Sequence, residues 1–198
     1  MNVMEAMKNR RSIHEFEQEN VQREVLQDIF STASWAPTHR MKEPWMIKVY
    51  EGAGREQYIA KVLESYEREG FFKGYGSEKT NRMQEGIRSF LKTIPHHALI
   101  YMEKDESVLK YEEDYAAVCA FIQNAQLAGW EKGVGMLWMT SPYIHDPEFV
   151  EAIGLSDRYK VVGVLQMGYP KKVPAPKPRT HISQKLTFID SSIKESFR

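Results

Sequence analysis

A single cysteine, Cys119, leaves no partner for an intramolecular disulfide, so the fold cannot rest on a cross-linked framework. It lies in an apolar stretch, where a small buried hydrophobe is its usual role, and a reducing compartment is the default setting. Excess charge of either sign is also missing. The 27 basic residues balance 27 acidic ones, which removes any global pull toward nucleic acid or a membrane surface. No run reaches the ~18 to 20 apolar residues of a membrane span, and the opening MNVMEAMKNRRSIHEF has no apolar signal core. These absences lead to the expectation of a soluble cytoplasmic protein with no nucleic-acid or membrane partner.

Several catalytic signatures are absent as well. The six histidines, His14, His39, His96, His97, His145 and His181, form no i, i+4 pair and have no clustered cysteines, so no metal site is expected. No GxSxG elbow, CxxC or GxxxxGK[ST] loop occurs, and no internal repeat. Gly133-Val134-Gly135 is followed by a strand-like run where a dinucleotide fingerprint needs a helix, and the third glycine is missing. A helix C-cap at Gly133 and a tight turn account for it.

What is present centres on Lys110–Thr140. The acids Glu112, Glu113 and Asp114 suit the positive end of a helix dipole, and strong helix formers continue without glycine or proline up to Gly129. No residue of Tyr115–Trp130 is charged, and the small and apolar residues cover several faces, which predicts a buried central helix that could also meet a second subunit. MLWMT after the glycines reads as an inner strand. At 198 residues, the chain is expected to form one domain over 1–198, with 170–198 an extended C-terminal arm.

Along the rest of the chain, helices are predicted at Asn2–Asn9, Val21–Trp35, Arg55–Arg68, Asn81–Lys92 and Asp146–Ile153. Strands are predicted at Met46–Tyr50, Ala98–Met102 and Lys160–Met167. Arg10-Arg11-Ser12 offers two guanidiniums and a hydroxyl that suit a phosphate, or simply an exposed basic helix end. The proline-bounded loop around Thr38 and His39 is either a ligand wall or a plain connector. The glycines and aromatics of EGFFKGYGSEKT read either as a mobile lid or as a loop tucking its rings inward. KKVPAPKPRTHIS is too rich in proline and lysine for helix or strand, and the apolar Leu186–Ile189 beyond it needs somewhere to dock, on its own domain or a second subunit.

Arg10-Arg11-Ser12, APTHRMKEPW, the apolar helix with GVGMLW, and VVGVLQMGYP before a basic arm occur in an order that resembles the flavin-dependent nitroreductase family. The form APTHRMKEPW is most similar to the small, minimal-fold NAD(P)H nitroreductases. The resemblance implies an α+β fold, a central, mainly antiparallel sheet flanked by helices, in an interlocked homodimer with an exchanged C-terminal arm and FMN at the interface. It places Arg10, Arg11 and Ser12 at the FMN phosphate and ring edge, and Trp35 and His39 on a loop reaching the partner's FMN. Trp138, Met139 and Thr140 fall along the flavin, and Arg179 at the phosphate from the arm.

No protein acid or base is implied, because flavin N5 carries the chemistry, with NADH or NADPH as co-substrate and a small-molecule electron acceptor such as a nitroaromatic, quinone or enone. Relatives that dehalogenate or that destroy flavin share the scaffold, and a flavin-binding storage or sensor protein without turnover is the alternative. His14 stands where many members carry Lys or Arg, and Met41 and Glu43 where many carry Asn and Gln. Lys73, Lys79 and Arg82 are candidates for a nicotinamide 2′-phosphate.

Overall fold

A computed structural model describes residues 2–189; the last part of the expected arm, 190–198, lies outside the described residues. Four strands, β1 (Met46–Tyr50), β2 (His96–Glu103), β3 (Gly135–Met139) and β4 (Tyr159–Gly168), form one sheet in the order β1-β2-β4-β3, with every pairing antiparallel. The expected α+β class is therefore what the chain adopts. Helices α1 (Val3–Asn9), α2 (Arg23–Ala33), α3 (Gly52–Arg68), α4 (Ser77–Lys92), α5 (Val108–Glu131) and α6 (Pro147–Ala152) flank it.

The sheet is buried on both faces, which is why its central strands read as continuous apolar runs rather than alternations. Ala98, Ile100 and Met102 of β2 join Phe121, Ile122 and Ala125 of α5 and Leu26 and Ile29 of α2 in one core. On the opposite face Leu99 meets Tyr58, Ile59 and Val62 of α3 and Phe149 of α6. A bulge between Ile100 and Tyr101 leaves Val162 unpaired, so Val162 and Leu165 of β4 reach the same face despite an odd spacing.

Three sequence expectations change. The central helix starts at Val108, so Glu112, Glu113 and Asp114 sit beyond its first turn and do not cap its dipole. The turn that precedes it is closed by the Asp105 carboxylate, which accepts from the Ser107 N–H at 3.0 Å. β3 is an edge strand rather than an inner one; it is apolar because Ser12 and Ile13 lie along its free side, with the Ile13 N–H donating to the Met136 carbonyl at 3.1 Å. His96 and His97 belong to β2 and are fully buried.

Gly133 behaves as predicted. Its φ of +75° closes α5, with the Val134 N–H donating to Gly129 O at 2.8 Å and its own N–H to Trp130 O at 3.2 Å, the paired bonds of a Schellman cap. The 69–76 segment divides between its two readings, since Phe72 is buried while Phe71 and Tyr75 stay exposed beside Tyr66 and Lys79. Among the described residues beyond Pro170, the one regular element is a tight turn at Ile182–Gln184. Among the described residues no helix is long and apolar enough to cross a membrane, and no group of His, Cys, Asp or Glu could hold a metal ion.

Burial drives the His97 imidazole down to about 4, although its Nε2 lies 3.2 Å from the Leu91 carbonyl. An unfolded histidine titrates near 6.5, so between these values the unfolded chain binds more protons than the folded one, and stability rises with pH. The contribution is complete above about pH 6.5 and is lost as pH falls toward 4, about 3 kcal/mol in all. The urea midpoint is therefore expected to drop across this window, and His97→Phe, which keeps a ring beside Tyr58, to flatten that slope. His96 and His145, also lowered by burial, contribute to the remainder.

Candidate functional site

The basic end of α1 and the distant arm come together because the segment after α1 is stitched on both sides. Ser12 bridges to Met136 of β3, and the backbone of Glu15–Glu17 pairs with the root of the arm: the Glu17 N–H donates to Tyr169 O at 2.8 Å and the Lys171 N–H to Glu15 O at 3.0 Å. Gly135 permits this convergence. A Cβ there would fall 2.5 Å from Ile13 Cγ1 and 2.8 Å from Pro170 Cγ, so only glycine lets both segments close on the strand.

The result is a cavity of about 650 Å³ lined by Met7, Lys8, Arg10, Arg11, Ser12, His14 and the arm residues Pro174 to Lys177 and Arg179. Five side chains in that lining are formally cationic, Lys8, Arg10, Arg11, Lys177 and Arg179, and none is a carboxylate. In a chain of zero net charge this local imbalance repels itself. Arg10 feels it most: burial first, then the charges of Arg179 and Arg11, push its guanidinium below the ordinary value, though it remains a cation at neutral pH. Its Nε is buried and finds no hydrogen-bond partner among the described residues. A half-buried, under-partnered guanidinium facing four further cations is unfavourable until an anion enters. The donor set fits a phosphate, with planar forks for its oxygens and the Ser12 hydroxyl beside them.

Arg11 contributes less freely than its neighbours, because its Nη1 donates to Lys8 O and Arg10 O, both at 2.8 Å, and so satisfies carbonyls at the end of α1. Trp138 and Met139 lie on β3, two and three residues beyond the Met136 that bridges Ser12, and Thr140 follows them exposed. The Trp138 Nε1 is buried without a partner among the described residues. Trp35 and His39 do not line the cavity. They lie beyond the C-terminus of α2, Trp35 with 88% of its surface exposed and His39 3.9 Å from Glu113 of α5.

Lys8 and Lys177 escaped the sequence reading. A basic residue at each end of the two motifs was visible, but nothing in the sequence said that residues so far apart meet. A second, larger cavity of about 710 Å³ between α6 and the start of β4 contains Lys104, His145 and Lys160, and none of the expected site residues.

The Nitroreductase family model matches residues 7–169, well over half of the chain. The chain belongs to the nitroreductase family. It is 34% identical over 186 residues to YfhC of Bacillus subtilis, whose name assigns it provisionally to the NAD(P)H nitroreductases, covering 93% of each protein. A solved nitroreductase-like family protein from Bacillus cereus superposes with a TM-score of 0.87 at 34% identity, covering 96% of this chain and 97% of that one. The FMN-dependent nitroreductase NfnB of Mycobacterium smegmatis, solved in complex with NADPH, shares the fold at 17% identity and a TM-score of 0.72, covering 94% and 97%. In this nitroreductase-family chain, then, the cationic cavity lies where the N-terminal motif and the arm meet.

Inorganic phosphate at tens of millimolar is expected to raise the melting temperature by filling the cavity. A charge-assisted hydrogen bond contributes about 1.5–3 kcal/mol, so Arg10→Ala or Arg179→Ala should weaken phosphate binding by about tenfold or more. Thermal unfolding across a phosphate titration checks this, with chloride at matched ionic strength as the control.

Proposed function

We propose that this chain is an FMN-dependent oxidoreductase that accepts electrons from NADH or NADPH and passes them to flat electrophiles, nitroaromatics and quinones among them. The observation that carries the reading is the carboxylate-free cavity of Arg10, Arg11, Arg179, Lys8 and Lys177 beside Ser12. Such a cavity suits a dianionic phosphate, and family membership says which phosphate-bearing cofactor to expect. Flavin, when bound, supplies hydride acceptance and donation at its N5. The protein's own groups do the rest.

Arg10 and Arg179 hold the phosphate from two sides, one on the body and one on the arm, so cofactor binding also fastens the arm. Ser12 donates near the ring, and Trp138, Met139 and Thr140 flank it along the edge strand. His14 stands at the pyrimidine edge, where it offers an imidazole in place of the Lys or Arg of many members. No side chain is assigned as a general acid or base. The basic residues near the 70s segment that could meet a nicotinamide 2′-phosphate are Lys73, Lys79, which lies over the Tyr75 ring at 4.0 Å, and Arg82, which pairs with Glu78 at 3.3 Å on the surface.

The site is completed in a homodimer. Trp35, Ile182, Leu186 and Phe188 are exposed apolar side chains that a second copy of the chain would cover. That arrangement brings the partner's Trp35–His39 loop to the flavin and exchanges the arms over 170–198, the remainder of 1–198 forming one domain.

The purified protein is expected to absorb as a flavoprotein and to bleach on anaerobic addition of NADPH, recolouring with a quinone or nitroaromatic. A colourless protein that takes up no FMN overturns the cofactor, bound flavin that resists both nicotinamides indicates storage or sensing instead, and a monomer in light scattering overturns the shared site. Arg10→Ala should lower affinity for FMN by at least about tenfold while leaving riboflavin, which has no phosphate, nearly unchanged.

A further inference from the structure

Backbone strain among the described non-glycine residues is confined to the turn between α2 and β1. Arg40, Met41 and Glu43 have φ of +49°, +55° and +49°, and no other described non-glycine residue has a positive φ. Each such residue is disfavoured, and three within four positions persist only where the surroundings over-determine them. The bonds inside the turn are few and local: the Lys42 N–H donates to His39 O at 3.1 Å and the Glu43 N–H to Thr38 Oγ1 at 3.0 Å.

The polar links out of the turn run to α5 and the residues before it. Lys42 Nζ donates to Asp114 Oδ2 and lies 3.5 Å from Asp105 Oδ2. Asp114 is only 3% exposed, on a helix face otherwise given to alanine, valine and phenylalanine, while the Lys42 side chain remains 45% exposed. A buried carboxylate weakens helix packing unless it is paired, and an alanine or leucine would serve α5 better. Its presence is explained by what it holds. The pairing raises the Lys42 ammonium above its ordinary value, as a retained contact should.

We propose that Lys42 and Asp114 are positioning residues: the buried carboxylate pins the ammonium and thereby holds Arg40, Met41 and Glu43 in their left-handed conformations, so that His39, Arg40 and Met41 stand outward as a preformed wall for a flavin ring and its acceptor. This rests on the reading above that the Trp35–His39 loop reaches the flavin held by a second copy of the chain. Preformation matters because ordering a loose loop at the moment of binding subtracts from affinity.

The test compares the full-length wild type with Asp114→Asn, Lys42→Arg and the charge-free pair Lys42→Met with Asp114→Leu, which removes the pin without stranding a buried charge. Amide exchange over 36–45 and tryptic cleavage after Arg40 read the turn directly. Both are expected to speed up at least tenfold in Asp114→Asn and in the charge-free pair, while Lys42→Arg, which keeps the cation, stays near the wild-type rates. The dissociation constants of FMN and riboflavin should rise together, at least fivefold, because the wall meets the ring and not the phosphate; Arg10→Ala should move FMN alone. A folded charge-free pair whose turn exchanges at the wild-type rate overturns the pin. Faster exchange with unchanged affinity for both flavins overturns the positioning role and leaves a purely structural pair. A wild type that takes up no flavin overturns the functional reading alone, and the exchange and cleavage rates then still decide whether the pair holds the turn.

Discussion

The burial of α5 between α2 and the sheet is the constraint on which the rest of the molecule depends. Phe121 lies between Trp45 and Phe30, with ring centroids 5.1 Å and 6.2 Å away and nearly parallel planes. Stacked aromatic pairs contribute about 0.5–1.5 kcal/mol each beyond the apolar area they bury. The contact also fixes a geometry, because Trp45 opens β1 and Phe30 belongs to α2. Once α5 is seated, its two ends place two different parts of the site. Its C-terminal cap aims β3 and hence Trp138. Its N-terminal half presents Asp114 to Lys42 and sets the turn that follows α2.

Electrostatics makes the opposite kind of contribution. The zero net charge of the chain conceals a cavity with five cations and no carboxylate, built from segments that repel one another. Folding tolerates this because the neighbouring backbone is held by hydrogen bonds between 15–17 and the root of the arm, and because Arg11 is partly occupied with the carbonyls ending α1. Like charges gathered without counter-charges are what an anion-binding site presents and a structural ion-pair network does not. Lys42 and Asp114 make the contrast within the same chain: there each charge has its partner, and the pair acts on shape.

Much of the scaffold was legible because it follows from period and punctuation. Each predicted helix and strand occurs, and Gly133 caps α5 as its position beyond the last apolar turn implied. The errors share a cause. β3 looked like an inner strand since apolarity reports burial and not hydrogen-bond neighbours, and the cover comes from Ser12 and Ile13, more than a hundred residues earlier. Glu112–Asp114 looked like dipole partners because a helix start is poorly marked when Ser107 makes no side-chain cap. The site followed the same division. Of the residues named from motifs in order, Arg10, Arg11, Ser12 and Arg179 line the cavity and Trp35 and His39 do not, whereas Lys8 and Lys177 could be found only by seeing what lines it.

By itself the sequence determined most helices and strands and a buried helix–turn–strand at the centre, while the α+β class came only through the family resemblance of four ordered motifs. Local physics is enough for the elements themselves, since periodicity, capping and turn chemistry act over a few residues. Tertiary structure alone decided that α1 and the arm meet over one cavity, that Arg10 is half-buried and under-partnered there, and that a lysine in a strained turn reaches a buried aspartate on α5. Those facts depend on long-range closure and on the loss of water around particular atoms, and neither is written in any short stretch of the chain.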